Sequence, residues 1–240
     1  IGGIKSIARV TSKLVPFMAL LYVTTALIVI GANYEKLPYA VTAIITQAFS
    51  PEGVTGGVIA VLVLGFRRAA FSNEAGIGSS SVAHAAVKTK EPLTQGFVAM
   101  LEPFIDTVVV CTITALVITV TVFEPSMVND GTISGVELTS SAFASVIPWF
   151  PYVLAVVIML FAYSTMISWS YYGLEGFIYI FGPGKAAKLT FNMIFCFFIV
   201  VGCTTQLTSV LEFSDAMIFA MALANVAALY VLGPGVKRDL

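Results

Sequence analysis

The chain has 240 residues, of which 58% are hydrophobic and only 10% are charged, and its net charge is −1. Soluble domains carry about 25% charged residues, so this composition, with a mean hydropathy of +0.97, predicts an all-α integral membrane protein. The charge balance gives no basis for nucleic-acid binding, and three cysteines in apolar runs with a single histidine, His84, offer no zinc-site spacing.

The first part of the chain predicts one membrane crossing, followed by a helix that is too short to cross. Leu14–Ala32 is an uncharged run of 19 residues, which is long enough to span a bilayer. Asn33–Pro38 has the composition of a turn, and Tyr39–Phe49 is typical of a short amphipathic helix. His84, further along, is interpreted as a helix-end residue rather than a ligand.

The segment Gly56–Lys88 is apolar at its start but places Arg67, Arg68 and Glu74 near its centre. Charges at that depth are costly in a membrane, and the Gly76-Ile77-Gly78 step weakens helical continuity just beyond them. A broken helix that lines a polar cavity would explain all these features. A polar loop between two short apolar segments is the alternative.

Four further runs complete a prediction of six crossings, one of them broken. They are Thr94–Phe123, Val146–Tyr172, Leu189–Cys203 and Val210–Leu232. Glu124–Thr139 is a polar, acidic loop. Glu212 and Asp215 lie near the start of the last run, where we expect them to be solvated at the outer surface.

Lysine and arginine predict the orientation of these crossings. One side would hold nine of the twelve basic residues: Lys5, Arg9, Lys13, Lys88, Lys90, Lys185, Lys188, Lys237 and Arg238. The other side would hold only Lys36, and Arg67 and Arg68 are within the membrane. Both ends of the chain are therefore expected to be cytoplasmic, with the acidic loop outside.

The intramembrane charges need partners. Glu102 and Asp106 are four residues apart and share a helix face, so one is expected to be protonated or paired with an arginine. Glu74 is likewise expected to be paired or protonated, holding the broken segment in shape. A break could let the chain fold back and bring Glu74 to the arginines. Alternatively, each charge pairs with another helix, and Asp106 or Glu102 on the next span are the nearest acidic candidates.

Two features of the run from Val153 to Gly173 have both a structural and a functional interpretation. The Phe161 carbonyl with the hydroxyls of Ser164 and Thr165 would gather three hard oxygens on one helix face, as a small cation needs. Such hydroxyls also commonly bond back to their own helix. Trp169 and the adjacent tyrosines would form an interfacial belt.

Four stretches resemble the alanine/glycine:cation symporter family. They are GGIKSIARVTSKLVPFMALLY (Gly2–Tyr22), FSNEAGIGSSSVAHAA (Phe71–Ala86), QGFVAMLEPFIDTVVVCTITALVI (Gln95–Ile118) and LFAYSTMISWSYYG (Leu160–Gly173). The resemblance runs along essentially the whole chain. The FSNEAG and WSYYG stretches are its most specific motifs.

The resemblance implies a LeuT-type inverted-repeat transporter with a central site between two broken helices. Residues 1–38 would be the last helix of the first repeat, and residues 39–240 would be the second repeat. The chain would thus be a fragment. Its missing N-terminal helices would include the first broken helix, which holds the substrate carboxylate, and much of the cation site.

The resemblance also implies which residues bind. The amino-acid pocket would be lined by Phe71, Ser72, Asn73, Gly76, Ile77, Gly78 and Trp169. Phe161, Ser164 and Thr165 would supply half of a Na⁺ site. Arg67, Arg68, Glu74 and Asp106 would be structural charges.

We therefore expect a secondary active symporter of small neutral amino acids, alanine or glycine, coupled to Na⁺ or H⁺, with no other cofactor. Its location would be the plasma membrane, such as a bacterial inner membrane, with several passes through the bilayer. A channel with a polar central pore is the alternative. An intramembrane enzyme is not supported, because the chain has no HExxH pair and no GxSxG elbow.

Overall fold

The computed structural model describes residues 3–49, 57–122 and 135–239, and within these ranges the chain is helical with no strand. The helices are α1 (Gly3–Ala32), α2 (Leu37–Ala48), α3 (Gly57–Asn73), α4 (Ser79–His84), α5 (Pro92–Ala99), α6 (Leu101–Pro103), α7 (Thr112–Thr121), α8 (Val136–Ala144), α9 (Phe150–Phe181), α10 (Lys185–Thr204) and α11 (Leu207–Asp239). A 3₁₀ turn joins α1 to α2, and a π-helical segment, Phe104–Cys111, lies between α6 and α7. This confirms the all-α prediction for the described residues.

Five stretches of the described residues are long and apolar enough to cross a membrane. They are Ser6–Ala32, Pro92–Thr121, Phe150–Phe181, Lys185–Thr204 and Leu207–Arg238. The remaining predicted crossing, the broken segment Gly56–Lys88, differs from these because the chain there is divided between α3 and the short α4. Gly56, where that prediction began, lies outside the described residues.

The helices extend beyond the apolar runs that predicted them. The last crossing was expected over Val210–Leu232, whereas α11 runs from Leu207 to Asp239. Backbone hydrogen bonding continues past the apolar part of a helix, so hydropathy marks the lipid-facing length rather than the helix ends. The short helix expected at Tyr39–Phe49 is confirmed as α2. Residues 124–134 of the predicted acidic loop, Glu124–Thr139, lie outside the described residues. The end of that stretch is helical, because α8 begins at Val136.

The π-helical segment was not predicted, although a proline directly precedes it in the sequence. Pro103 has no backbone N–H and its ring crowds the carbonyl four residues earlier, so regular α-helical bonding cannot pass through it. The eight residues of Phe104–Cys111 follow immediately in the wider π geometry, and α7 then resumes the α-helix. Asp106 lies in this segment. A π segment changes which side chains share a face.

The chain separates into two compact units, each built from discontinuous stretches. The first unit comprises Ile1–Arg9, Arg67–Pro103 and Thr165–Leu240; the second comprises Val10–Phe66 and Phe104–Ser164. In the second unit, a buried apolar cluster joins α1, α7, α8 and the start of α9. Its buried members are Ala26, Val29, Val117, Ala142, Phe143, Phe150 and Leu154. The hydroxyls of Tyr22 and Thr114 add a hydrogen bond of 2.6 Å between α1 and α7.

In the first unit, aromatic rings pack the end of α9 against α10. The Phe177 and Phe191 rings have centroids 5.6 Å apart, and Phe191 also stacks on Phe195 at 5.9 Å. Gly173 permits this approach, since a Cβ there would lie 2.7 Å from the tip of the Phe191 ring. The same unit contains the broken segment and α11, which are described next.

Candidate functional site

The predicted break is confirmed in the structure. α3 ends at Asn73, α4 begins at Ser79, and the five residues between them are not helical. Three of these five have left-handed backbone conformations: Glu74 (φ +55°), Gly76 (φ +82°) and Gly78 (φ +91°). Glycine adopts such angles without a steric cost, so the two glycines account for the position of the break. Glu74 is the only non-glycine residue with positive φ in the described part of the chain.

Local hydrogen bonds satisfy part of the backbone that the break releases. The Asn73 side-chain oxygen accepts from the Ala75 N–H at 3.0 Å, and the Ser81 hydroxyl donates to the Gly78 carbonyl at 2.6 Å. The Ile77 N–H donates to the Glu74 carbonyl at 3.3 Å. Such bonds matter because irregular backbone at membrane depth must find partners within the protein or in a water-filled cavity.

Glu74 connects the two halves of the broken helix. Its Oε2 accepts a hydrogen bond of 2.6 Å from the hydroxyl of Ser79, the first residue of α4. Glu74 was expected to have a partner, and this bond supplies one, although it is a hydroxyl rather than an arginine. A left-handed glutamate costs free energy, and the bond across the break is a physical reason for the chain to tolerate it.

Arg67 and Arg68 converge on Asp215 of α11. Arg68 Nη2 donates to Asp215 Oδ2 at 2.9 Å, and Arg67 Nε lies 2.6 Å from the same oxygen. Arg67 Nε makes no hydrogen bond among the described residues, so charge attraction rather than a directed bond holds it there. The Asp215 side chain is 3% exposed, whereas those of Arg67 and Arg68 are 36% and 42% exposed.

This ion pair corrects two expectations. Asp215 was predicted to be solvated near the outer surface, and that prediction is wrong because the side chain is buried against two guanidinium groups. The partner of the arginines was sought on the following span, at Glu102 or Asp106, but they pair with the last helix instead. The physical reason is that a carboxylate buried inside the protein needs its charge neutralised, and the two guanidinium groups supply this.

A second contact joins α11 to the break. Asn225 Nδ2 donates to the Gly76 carbonyl at 2.9 Å. The same amide lies over Gly78, where a Cβ would be 2.9 Å from Asn225 Oδ1 and 3.0 Å from its Cγ. Arg68 and Asp215 are 147 residues apart, and Gly76 and Asn225 are 149 apart. Because the separation stays nearly constant, α11 runs parallel to the broken segment.

The predicted pocket residues occupy three kinds of position. Phe71, Ser72 and Asn73 form the last turn of α3, with Phe71 37% exposed. Gly76, Ile77 and Gly78 lie in the break itself, and Ile77 is buried at 2% exposure. Trp169, on α9, is half-buried and meets the Tyr172 ring edge-on with centroids 5.9 Å apart.

The residues predicted to bind a cation lie on one continuous stretch of α9. Ser164 is buried, and its hydroxyl donates to the Phe161 carbonyl at 2.8 Å. Thr165 follows directly and is exposed. The carbonyl and hydroxyl oxygens fit a small hard cation, and the observed bond is also the one that a serine makes in ordinary helix packing. His84 is the last residue of α4, as expected, and its Nδ1 contacts Gln95 Nε2.

Sequence reasoning missed Asn225 entirely and assigned Asp215 to the wrong environment. The same sequence feature could have identified both residues as functional candidates. Each is a polar residue within an apolar helix, and such residues in membrane segments commonly face the protein interior and serve a function. For Asn225 the signal is plain, because no other Asn, Asp, Glu, Gln, Lys or Arg occurs between Ala216 and Val236.

Comparisons with known proteins identify the family of the chain and several of its relatives. The model of the sodium:alanine symporter family matches residues 1–240. The sodium/alanine symporter AgcS of Methanococcus maripaludis is 36% identical, over 97% of this chain and 51% of that protein. The probable sodium/glutamine symporter GlnT of Bacillus subtilis is 33% identical, over 96% of this chain and 48% of its own length. An uncharacterized transporter of Haemophilus influenzae is 36% identical, over 95% of this chain and 50% of its own length.

The five long apolar helices are those of a multi-pass membrane protein. The chain belongs to the sodium:alanine symporter family, which confirms the resemblance that the sequence motifs indicated. Proteins of this family are transporters, not enzymes. The chain spans about half the length of the curated relatives it matches.

Proposed function

We propose that the complete protein is a secondary active symporter of small neutral amino acids, alanine or glycine, driven by Na⁺ or H⁺. The observation that carries this proposal is the break at residues 74–78 in a chain of the sodium:alanine symporter family. Released backbone there offers amide donors to a carboxylate and carbonyl acceptors to an ammonium group, which are the two groups that every amino-acid substrate carries.

The substrate would bind beside the break. Ser72, Asn73, Gly76 and Gly78 would contribute polar side-chain and backbone atoms, and Phe71 and Trp169 would supply apolar walls. Ile77 is buried, so it would limit the pocket from behind rather than project into open space. A compact pocket favours small side chains, and one relative is named a sodium/alanine symporter while another is named a probable sodium/glutamine symporter.

The coupling ion would be held in part by α9. If it is Na⁺, the Phe161 carbonyl and the hydroxyls of Ser164 and Thr165 are the hard oxygens that this chain offers. The remaining ligands would come from N-terminal helices of the same protein, which the LeuT-type interpretation requires. In that interpretation residues 1–38 end the first inverted repeat and residues 39–240 form the second.

The orientation follows from the distribution of basic residues. Six crossings with a broken second one would leave both ends of this chain cytoplasmic, in a plasma membrane such as a bacterial inner membrane. Three candidate spans separate the break from α11, so α11 should run in the same direction as α3 and α4. The contacts of Asp215 and Asn225 show that α11 runs parallel to the broken segment, which supports this shared direction. Reaction of a cysteine at Ala187 with an external, membrane-impermeant thiol reagent would contradict the orientation.

Flux through proteoliposomes tests the proposal. The purified complete protein should accumulate L-alanine when a Na⁺ or H⁺ gradient is imposed, and preloaded unlabelled alanine should drive counterflow of labelled alanine. Saturation and counterflow are properties of a carrier that alternates its access. Currents that rise linearly with voltage and show no counterflow would instead establish the channel.

A further inference from the structure

Asn225 is a half-buried amide in a helix that is otherwise apolar around it. Its Nδ2 donates to the Gly76 carbonyl at 2.9 Å, and this contact fixes the orientation of the amide, because a carbonyl can only accept. Gly76 has a left-handed backbone, so its carbonyl is released from the helix and needs a donor. Asn225 is the side chain that supplies it.

The amide also occupies the space directly over Gly78. A Cβ at that position would be 2.9 Å from Oδ1, 3.0 Å from Cγ and 3.2 Å from Cβ of Asn225. At Gly76, by contrast, a Cβ would meet nothing within 4 Å. The side chain of Asn225 thus contacts both glycines of the break through different atoms, one by a hydrogen bond and one by close packing.

α11 holds the broken segment at two separate points. Asp215 binds the arginines near the end of α3, and Asn225 binds the break ten residues later, about 15 Å along the helix at 1.5 Å per residue. The ion pair holds the end of α3, at Arg67 and Arg68. The amide acts on the two glycines whose backbone the proposed site uses, so its loss would change the site without releasing α3.

We propose that Asn225 is a positioning residue of the substrate site, acting through the Gly76 carbonyl and the packing over Gly78. The inference rests on the proposed function for the substrate itself, a small amino-acid zwitterion. By holding one carbonyl of the break in place, Asn225 keeps the neighbouring backbone groups preorganised for the carboxylate and ammonium groups. Preorganisation lowers the ordering cost of binding and therefore acts on affinity.

Two replacements isolate the role of the donor. Asn225→Asp keeps the size and shape but removes the amide donor, whereas Asn225→Leu keeps the approximate size and introduces no charge. Both should weaken alanine binding to the complete protein about three- to tenfold, the range expected for one hydrogen bond. Maximal uptake per folded molecule should fall less than about twofold, because the loss acts on binding rather than on the transport step. Asn33→Asp is the matched control, since Asn33 Nδ2 also donates to a backbone carbonyl, that of Val29, at 3.0 Å.

Hydrogen exchange gives a readout that does not depend on transport. In both Asn225 variants the amides of residues 75–79 should exchange about tenfold faster, because the break opens more readily, while those of α10 keep their rates. Unchanged exchange in the break together with unchanged alanine affinity would overturn the role of Asn225. Failure of the unaltered protein to bind any small neutral amino acid would contradict the proposed function instead, and the exchange rates would still decide whether Asn225 positions the break.

Discussion

Arg68 donates to Asp215 at 2.9 Å across 147 residues of sequence, and this contact ties the last helix to the helix that precedes the break. Asp215 is buried, and Arg67 lies against the same carboxylate oxygen. Two partly exposed guanidinium groups thus share one buried carboxylate, whose charge they neutralise. Coupling α11 to α3 in this way makes the position of the break depend on a residue far along the chain.

Removal of the shared carboxylate should destabilise the protein. Asp215→Ala leaves two arginines without their partner, and we expect a loss of about 2 kcal/mol, in the range for hydrogen bonds to charged groups and reduced by the partial exposure of the arginines. A thermal melt of the purified protein in detergent measures it. Glu212→Ala, an exposed acid three residues earlier on α11, is the control and should change little. Equal melting temperatures for both variants would contradict the pairing.

The two glycines of the break should differ in their tolerance of alanine. Both have positive φ, so each replacement carries a backbone cost of about 1–2 kcal/mol. Gly78→Ala would in addition force a Cβ to within 2.9 Å of Asn225, whereas Gly76→Ala meets open space. Alanine uptake, normalised to folded protein, should fall further in Gly78→Ala. A greater loss in Gly76→Ala would contradict the described geometry.

Glu74 should serve the shape of the break rather than contact the substrate. Glu74→Gln retains an oxygen that can accept from Ser79, so alanine affinity should change less than about tenfold, the loss of one ordinary hydrogen bond at most. Expression or transport rate should fall instead. Calorimetry on the complete protein distinguishes the two effects, with Ser79→Ala as the partner variant. Abolished binding in correctly folded Glu74→Gln would make Glu74 a direct ligand.

The hydroxyls of α9 should determine the response to sodium. Ser164→Ala combined with Thr165→Ala removes two of the proposed ligands and should cost about 1–3 kcal/mol of ion binding. The sodium concentration for half-maximal alanine uptake should rise accordingly. Ser170→Ala is a matched control, because the Ser170 hydroxyl bonds to the Ile167 carbonyl at 2.8 Å on the same helix. Unchanged sodium dependence in the double variant would place the site elsewhere or identify H⁺ as the driving ion.

The sequence predicted the parts of this structure that depend on local chemistry. Long apolar runs identified the crossings, and the Gly76-Ile77-Gly78 step located the break, because glycine is the residue that accepts left-handed backbone without strain. The local sequence also made clear that Glu74 needs a partner. The family motifs then indicated which of these features concern transport.

Contacts between distant segments could not be predicted in the same way. Asp215 lies near the start of its apolar run, so the sequence predicts that it is solvated. Its environment is instead determined by the arginines 147 and 148 positions earlier in the chain. Pro103 predicts an irregular helix, but it does not determine whether the helix kinks or widens into the π segment. Asn225 is visible as a lone amide, but its acceptor is known only once α11 lies parallel to the break.

Substrate protection at the break tests the central claim most directly. In the complete protein with Cys111, Cys196 and Cys203 replaced, a cysteine at the exposed position Ala75 should react with a small thiol reagent. L-alanine should slow that reaction with a half-maximal effect at its transport half-saturation concentration. A cysteine at Ala85, exposed just after α4, should react at the same rate with or without alanine. Intact alanine transport with no protection at position 75 would contradict binding at the break.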